Sequence, residues 1–223
     1  MRYAIYHLPE PDSLLAQCGA QWLGWDVHKG EEITRESYVR PHWIASPRVY
    51  GFHATLKAPF HLASGLDESL LIDAVHALAG DLRPASLGTL RLGEFSGFLA
   101  FAAPGADMSL TSTAAACVTE LDSFRASASE GELAKRRAAG LNETEEANLA
   151  QWGYPYVLDR FRFHMTVTGA LDKPDRDEAK RVAEEHFADA TAGTATLTAL
   201  SVLKQTVLNT PFREIARFDL RGR

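Results

Sequence analysis

The sequence is poor in cysteine and in long apolar runs. Among its 223 residues it has only two cysteines, Cys18 and Cys117, which argues against a disulfide framework and favours a reducing compartment. No apolar run approaches the roughly 20 residues that a membrane-spanning helix needs. The first residues also lack the apolar segment of a signal peptide. We therefore expect a cytoplasmic protein that has no membrane partner.

Positive charge is also scarce. The chain carries 23 lysines and arginines against 29 acidic residues, so its formal net charge is -6. A protein that grips long nucleic acid neutralises many phosphates with basic side chains, and this composition argues against that class. One short basic run, Lys135-Arg136-Arg137, is predicted to be a solvated helix face or a place where an anionic partner docks.

Several common enzyme signatures are missing from the sequence. It contains no Walker-type phosphate loop, no dinucleotide-binding glycine fingerprint and no nucleophilic serine elbow. The histidines outside the repeated motif described next show no metal-ligand spacing, so no metal site is predicted. These absences argue against nucleotide-loop enzymes, dinucleotide enzymes and serine hydrolases of the usual types.

A short motif occurs twice in the chain. It reads Phe52-His53-Ala54-Thr55-Leu56 in the first half and Phe163-His164-Met165-Thr166-Val167 in the second. The histidines are 164 minus 53, or 111, positions apart in a chain of 223 residues, which indicates an old duplication. Two histidines that each bring their own threonine predict one shared site.

Each copy of the motif alternates in the manner of a β-strand. The apolar face of the two strands is predicted to hold Phe52, Ala54, Leu56, Phe163, Met165 and Val167. The polar face is predicted to hold His53, Thr55, Lys57, Arg162, His164 and Thr166. A polar face on each strand is suited to line a common cleft.

The succession of elements predicts an α+β fold. Each half of the chain contains strands and helices without strict alternation, which favours small, mainly antiparallel sheets with helices outside. We expect a single domain of two pseudo-symmetric lobes, formed by residues 1–105 and 106–223, around a central cleft. Residues 25–49 are predicted to be an irregular surface loop.

The residue types of the motif are suited to proton transfer at a phosphate. Histidine titrates near pH 6.5, so one imidazole can accept a proton while a second, protonated one donates. A threonine hydroxyl on the same strand face can donate to a phosphate oxygen. Lys57 and Arg162 are candidates for additional positive charge, and Tyr50 and Tyr156 for contacts to a sugar or base.

The two motifs and their flanks resemble the two-histidine phosphoesterase superfamily. The strings Tyr50 to Phe60 and Phe161 to Gly169 are similar to a bacterial branch that is named for phosphonate metabolism. This resemblance implies that His53 and His164 are the acid-base pair and that Thr55 and Thr166 bind phosphate. It also implies that no metal or other cofactor is required, and it leaves open which histidine is the base.

Two functions remain open at this point. One is a metal-independent phosphoesterase that hydrolyses a cyclic phosphodiester, such as a 2',3'-cyclic nucleotide end or a small cyclic sugar phosphate. The other is a non-catalytic module that binds an RNA end or a phosphorylated metabolite in the same cleft. In either case we expect a small phosphorylated metabolite or a nucleic-acid end as partner, and a monomer or weak dimer.

Overall fold

A computed structural model describes residues 1–138 and 140–222. The helices in this part of the chain are α1 (Leu14–Leu23), α2 (Pro41–Ile44), α3 (Glu68–Asp81), α4 (Met108–Thr119), α5 (Glu130–Arg137), α6 (Glu143–Trp152) and α7 (Lys173–His186). The strands are β1 (Arg2–His7), β2 (Trp25–Asp26), β3 (Glu31–Glu32), β4 (Ala54–Phe60), β5 (Ala85–Gly88), β6 (Arg91–Phe95), β7 (Phe98–Ala102), β8 (His164–Thr166), β9 (Ala195–Leu197), β10 (Ala199–Gln205) and β11 (Arg213–Asp219).

Seven of these strands form one sheet in the order β11-β10-β1-β4-β8-β7-β6. Every pairing within it is antiparallel. The predicted α+β class with antiparallel pairing is therefore confirmed. The sheet is continuous, because the strand that carries the first motif pairs directly with the strand that carries the second.

The two sides of the sheet do not correspond to the two halves of the sequence. β1 pairs with β10 from near the end of the chain, and β8 pairs with β7 from the first half. Each side of the sheet therefore combines strands from both halves of the sequence. Alternation along a strand predicts which face a residue occupies, but it carries no information about which strand lies alongside.

The motif strands meet at the middle of the sheet through Ala54 of β4 and Met165 of β8. Both side chains are fully buried. The residues predicted for the apolar faces all belong to one large core, which confirms the alternation: Phe52, Ala54, Leu56, Phe163, Met165 and Val167. The residues on either side of Ala54 and Met165 therefore point to the opposite face of the sheet.

The helices α1, α3, α4 and α7 contribute to the same core and cover that face of the sheet. A smaller apolar cluster on the other side contains Tyr6, Trp25, Val27 and Phe212. This second face is only partly covered. The position of the main helices thus leaves a cleft where the polar faces of the two motif strands lie.

Local signals in the sequence fix several helix ends. Ser13 caps α1 by accepting a hydrogen bond from the Ala16 amide, and Gly24 ends that helix in a left-handed conformation. Asp67 caps α3 through the Leu70 amide. Asn142 begins α6 with a reciprocal capping box, as its spacing from an acidic residue three positions later predicts.

The segment 25–49, which was expected to be irregular, contains β2, β3 and α2. Its apolar residues are in the interior: Trp43 is fully buried and stacks near Trp22, with ring centroids 6.5 Å apart. Val27 lies against Gly51, just before the first motif. The segment is therefore packed beneath one wall of the cleft.

None of the helices in residues 1–138 and 140–222 has the length and apolar character that a membrane crossing requires. Cys18 and Cys117 are free and buried, as expected for small apolar side chains.

The packing of α1 against the first motif predicts a steric test. A Cβ atom at Gly19 would lie 2.3 to 2.7 Å from atoms of Phe52, the residue before His53. We expect Gly19→Ala to lower the free energy of unfolding by about 1–3 kcal/mol, because the overpacked aromatic ring must move. Chemical denaturation measures this change.

The matched control is Gly80→Ala in α3. A Cβ atom there meets nothing within 4 Å. The free energy of unfolding of this control is expected to rise by about 0.5–1 kcal/mol, because alanine is the better helix former. Equal effects of the two substitutions would contradict the close packing of α1 on Phe52.

Candidate active site

Both repeated motifs contribute to one cavity of about 260 Å³. His53 and Thr55 line it from the first motif, and His164 and Thr166 line it from the second. The remaining polar and aromatic side chains of the lining come from other parts of the fold: Arg2, Tyr6, Tyr50, Arg136 and Tyr154. The predicted meeting of the two histidines and the two threonines in one cleft thus holds in the structure.

The His53 ring is held in one orientation by two hydrogen bonds. Its Nδ1 lies 2.9 Å from the Gly51 carbonyl oxygen, and its Nε2 lies 3.0 Å from the Thr55 Oγ1. A carbonyl oxygen only accepts, so Nδ1 carries the proton and Nε2 presents a lone pair, to which the Thr55 hydroxyl donates. Nε2 is therefore the atom that can accept a proton from a ligand.

The second motif repeats this arrangement. The His164 Nδ1 lies 2.8 Å from the Arg162 carbonyl oxygen, again two residues before the histidine. Its Nε2 is therefore the ring nitrogen available to a ligand in the cavity. The surroundings of the two rings differ, because His164 is partly exposed and lies near Phe95 and Phe98, with ring centroids 5.9 and 6.0 Å away.

Glycine is needed at position 51 for two reasons. Its φ of 74° lies in the left-handed region, and a Cβ atom there would approach Val27 to 2.8 Å. The turn directs the Gly51 carbonyl to the His53 ring. The glycine therefore sets the tautomer of the histidine as well as the path of the chain.

His53 is covered by Tyr6, which the motif analysis did not identify. The two rings stack with centroids 3.8 Å apart and planes 23° apart. Burial lowers the pKa of His53 to about 4, with a smaller lowering from the nearby His164 and an opposing effect of the Gly51 carbonyl. Because a buried imidazolium lacks water, His53 is neutral near pH 7.

Lys57 does not contact the cleft, which corrects its assignment as a substrate contact. Between β1 and β4 the register shifts, so Tyr6 faces Thr55 but Ile5 faces Lys57. This irregularity interrupts the alternation and turns Lys57 to the core side. Its Nζ donates to the Val118 carbonyl at 3.0 Å and to Asp122 at 3.2 Å.

The other predicted contacts divide between two cavities. Tyr50 lines the cavity of the two histidines. Arg162 and Tyr156 instead line an adjoining, more apolar cavity of about 260 Å³, which Thr55 and His164 also touch. The Arg162 guanidinium donates to the Phe161 carbonyl at 2.8 Å. Arg162 and Tyr156 are thus next to the histidine cavity without lining it.

Three polar or aromatic lining residues were not identified as site residues from the motifs: Arg2, Tyr6 and Arg136. Alternation in β1 places Arg2 and Tyr6 on one face, but only the strand order puts that face beside His53. Arg136 belongs to the basic run noted in the sequence. Its guanidinium carbon lies 4.8 Å from the centroid of the Tyr154 ring.

In the part of the chain that the structure describes, no group of three or more His, Cys, Asp or Glu side chains is placed to hold a metal ion. The polar groups of the cleft are imidazoles, hydroxyls and guanidinium groups. Hydroxyls and guanidinium groups are ligands for an oxyanion.

Comparison with known families gives one clear match. The model of the family described as "Protein of unknown function (DUF1045)" matches residues 55–213, most of the chain. The chain belongs to the DUF1045 family. The matched range includes Thr55, His164 and Thr166, while His53 lies two positions before its start.

Two relatives of this DUF1045 chain carry the name ribose 1,5-bisphosphate phosphokinase PhnN. The protein from Janthinobacterium sp. (strain Marseille) is 38% identical over 231 residues, which cover 99% of this chain and 51% of that protein. The protein from Laribacter hongkongensis (strain HLHK9) is 35% identical over 193 residues, which cover 84% of this chain and 44% of that protein. The chain therefore spans about half the length of these curated relatives.

A solved structure described as the crystal structure of phosphoesterase also aligns with this DUF1045 chain. The alignment covers 100% of this chain and 99% of that chain, with 12% sequence identity and a TM-score of 0.44.

The burial of His53 predicts a pH dependence of stability. Its pKa falls from an ordinary 6.5 to about 4 in the folded protein, so the unfolded chain binds the proton more readily. The contribution of neutral His53 to the free energy of unfolding is complete above the pKa that the residue has in the unfolded chain, and it is lost as pH falls from 6.5 towards 4. We expect His53→Gln to lose less unfolding free energy than the wild type between about pH 7.5 and 5.

Urea denaturation at the two pH values measures the difference. The exposed His76 provides the control, since His76→Gln removes a histidine without removing a buried imidazole. The control is expected to follow the wild type. If the free energy of unfolding of His53→Gln falls as much between the two pH values as that of the wild type, His53 is not a neutral, buried histidine.

Proposed function

We propose that this protein hydrolyses a cyclic phosphodiester by general acid-base catalysis with His53 and His164. One observation carries the proposal: in both motifs the imidazole Nδ1 is held by the carbonyl oxygen two residues earlier, and both rings line one cavity. The Nδ1 atoms are thereby engaged by the backbone, and the Nε2 atoms, of which that of His53 accepts from Thr55 in the free protein, are the ones proposed to exchange protons with reactants. The matched geometry supports a pair that acts on one bound group.

The difference in burial supports a division of roles. His53 is buried under Tyr6 and its pKa is lowered to about 4, so its Nε2 accepts the proton of the attacking water. The water oxygen forms a bond to phosphorus while the bond from phosphorus to one ring oxygen breaks. The protonated Nε2 of His164 donates its proton to that leaving oxygen, and the product is a phosphate monoester with a free hydroxyl.

The threonines are proposed to stabilise the phosphate during this step. In the free protein the Thr55 hydroxyl donates to His53 at 3.0 Å. A phosphate oxygen that enters the cavity is an alternative acceptor for this hydroxyl, which leaves the His53 lone pair free for water. Thr166 offers a second hydroxyl from the other motif strand. Donors placed in advance at a developing charge are an effective source of rate enhancement.

A small ribose-based cyclic phosphate is the proposed substrate. The relatives from Janthinobacterium and Laribacter are named for a ribose phosphate, which supports a ligand of that class. Their phosphokinase name is not carried over, because the sequence has no Walker-type phosphate loop. Hydrolysis of a cyclic sugar phosphate in phosphonate metabolism agrees with both the motif geometry and this ligand class.

The adjoining apolar cavity favours a second candidate substrate, a nucleoside 2',3'-cyclic phosphate end. Its aromatic lining includes Phe95, Phe98, Tyr156 and Phe161, and it touches His164. A nucleobase stacks well on such side chains. A non-catalytic module that only binds such an end, or a phosphorylated metabolite, is the remaining alternative, and it predicts binding without turnover.

Replacement of either histidine tests the proposed catalysis. We expect His53→Ala and His164→Ala each to lower kcat by about 10²- to 10⁴-fold, because each removes one proton-transfer group. The double variant is expected to be little slower than the single ones, since the two groups act as a unit. Steady-state rates on ribose-based and nucleoside cyclic phosphates, with a chelator present, provide the measurement.

The control is His76→Ala, which removes an exposed histidine outside the cavity. It is expected to retain the wild-type rate. A kcat close to that of the wild type in His53→Ala or His164→Ala would overturn the acid-base pair. If the wild type binds these compounds but does not turn them over, the result would favour the non-catalytic binding module.

The pH dependence of kcat/KM tests the assignment of the base. His53 must be neutral to accept a proton, and with a pKa of about 4 it remains neutral well below its ordinary 6.5. We expect the acidic limb of the bell-shaped profile to fall only as pH approaches 4, while loss of the proton of the acid sets the basic limb. An acidic limb centred at 6.5 would contradict His53 as a buried neutral base.

A further inference from the structure

A third cavity, of about 570 Å³, also adjoins the cavity of the two histidines. The two share Arg2, Tyr50 and Arg136 in their linings. Lys135 adds to the positive character of this larger cavity. The carboxylate in this lining belongs to Glu132, whose oxygen accepts hydrogen bonds from the Ser129 amide at 2.9 Å and the Ser129 hydroxyl at 2.8 Å. Cationic groups therefore outnumber carboxylates along this wall.

The two shared arginines are held by neutral groups. The Arg2 Nε donates to Gln205 at 2.8 Å, and its guanidinium lies 5.5 Å from the centroid of the Phe212 ring. The Arg136 guanidinium lies over Tyr154. Within residues 1–138 and 140–222, neither arginine forms an ion pair with a carboxylate. Both guanidinium groups therefore retain N–H donors that can bind an anion.

Other arginines of the protein are neutralised by acidic neighbours. Among the described residues this group consists of Arg40, Arg48, Arg125, Arg137, Arg160, Arg176, Arg181 and Arg217. The contrast between Arg136 and Arg137 is the sharpest, since they are adjacent in α5. Arg137 pairs with Glu146, whereas Arg136 turns to the cavity.

Tyr6, another residue of the same lining, has a buried hydroxyl. Tyr6 is fully buried and lines the histidine cavity, and its hydroxyl has no hydrogen-bond partner among the described residues. Burial raises its pKa well above the usual range, so the hydroxyl keeps its proton as a donor. A buried donor without an acceptor is costly unless a ligand or water satisfies it.

A single cyclic phosphodiester does not use all of these groups. It carries one negative charge, which the two threonines and a protonated His164 can accommodate in the proposed reaction. Two arginines and a buried hydroxyl beside it exceed that requirement. A phosphate monoester, with up to two negative charges and three acceptor oxygens, matches the additional donors.

We propose that Arg2, Arg136 and the Tyr6 hydroxyl form a subsite for a phosphate monoester carried by the same molecule as the cyclic phosphodiester. This inference rests on the proposed function and names its substrate class: a sugar that has a cyclic phosphodiester at one end and a monoester at the other. The monoester fixes the sugar, and the diester is placed between the two histidines.

The test compares two matched substrates, a ribose cyclic phosphodiester with and without a phosphate on its 5-hydroxyl. We expect wild-type kcat/KM to be about 10- to 100-fold higher for the 5-phosphorylated compound, the range expected for hydrogen bonds to a charged group. Dissociation constants of the same pair are measured by calorimetry on the His53→Ala protein, so that binding is observed without turnover.

The variants Arg2→Gln and Arg136→Gln are each expected to lower the ratio between the two substrates by about tenfold. Arg181→Gln removes the same charge from α7, outside the three cavities, and is expected to keep the wild-type ratio. Thermal unfolding checks that each variant folds. If Arg2→Gln in β1 does not fold, Arg136→Gln on α5 still gives the test.

The outcomes separate this inference from the proposed function. Equal kcat/KM and equal dissociation constants for the two compounds would overturn the subsite, even if hydrolysis depends on both histidines. A ratio that Arg136→Gln and Arg181→Gln change equally would also overturn it. An arginine-dependent preference in binding, without hydrolysis by the wild type, would support the subsite and reject the proposed reaction.

Discussion

The pairing of β4 with β8 is the constraint on which the site depends. It joins the two sides of the sheet at Ala54 and Met165, whose buried side chains fix which way each strand faces. Since neighbours along a strand alternate, the same contact turns His53 and His164 to one side. A one-residue slip of either strand would send its histidine into the core. The sheet register thus determines the geometry of the two-histidine cleft.

The cleft places two similar motifs in dissimilar surroundings. His53 lies beneath Tyr6 with little access to water, whereas His164 lies at the partly exposed edge near Phe95 and Phe98. Burial disfavours the charged form of the His53 imidazole. A symmetric sequence pattern has therefore placed two histidines in unlike surroundings, as the proposed transfer of one proton in and another out requires.

Much of the site could be predicted because its residues are close in sequence. The strand alternation and the shared cleft of the motif residues follow from the two repeated strings, and Ser13, Asp67 and Asn142 cap helices by local spacing. The strand order could not be predicted, because alternation within a strand does not show which strands pair. Lys57 was misplaced by a break in the regular pairing of β4. Tyr6, Arg2 and Arg136 reach the cleft only through tertiary contacts.

The strand order also dictates when the site can form during folding. β1 lies between β4 and β10, so the strand that supplies Tyr6 obtains its second neighbour only after residues 199–205 have been synthesised. Pairings so distant in sequence carry a large loop-closure cost and slow the search for the native state. We therefore expect a nascent chain to have both motifs before β10 is available to secure the strand that supplies the Tyr6 cover over His53.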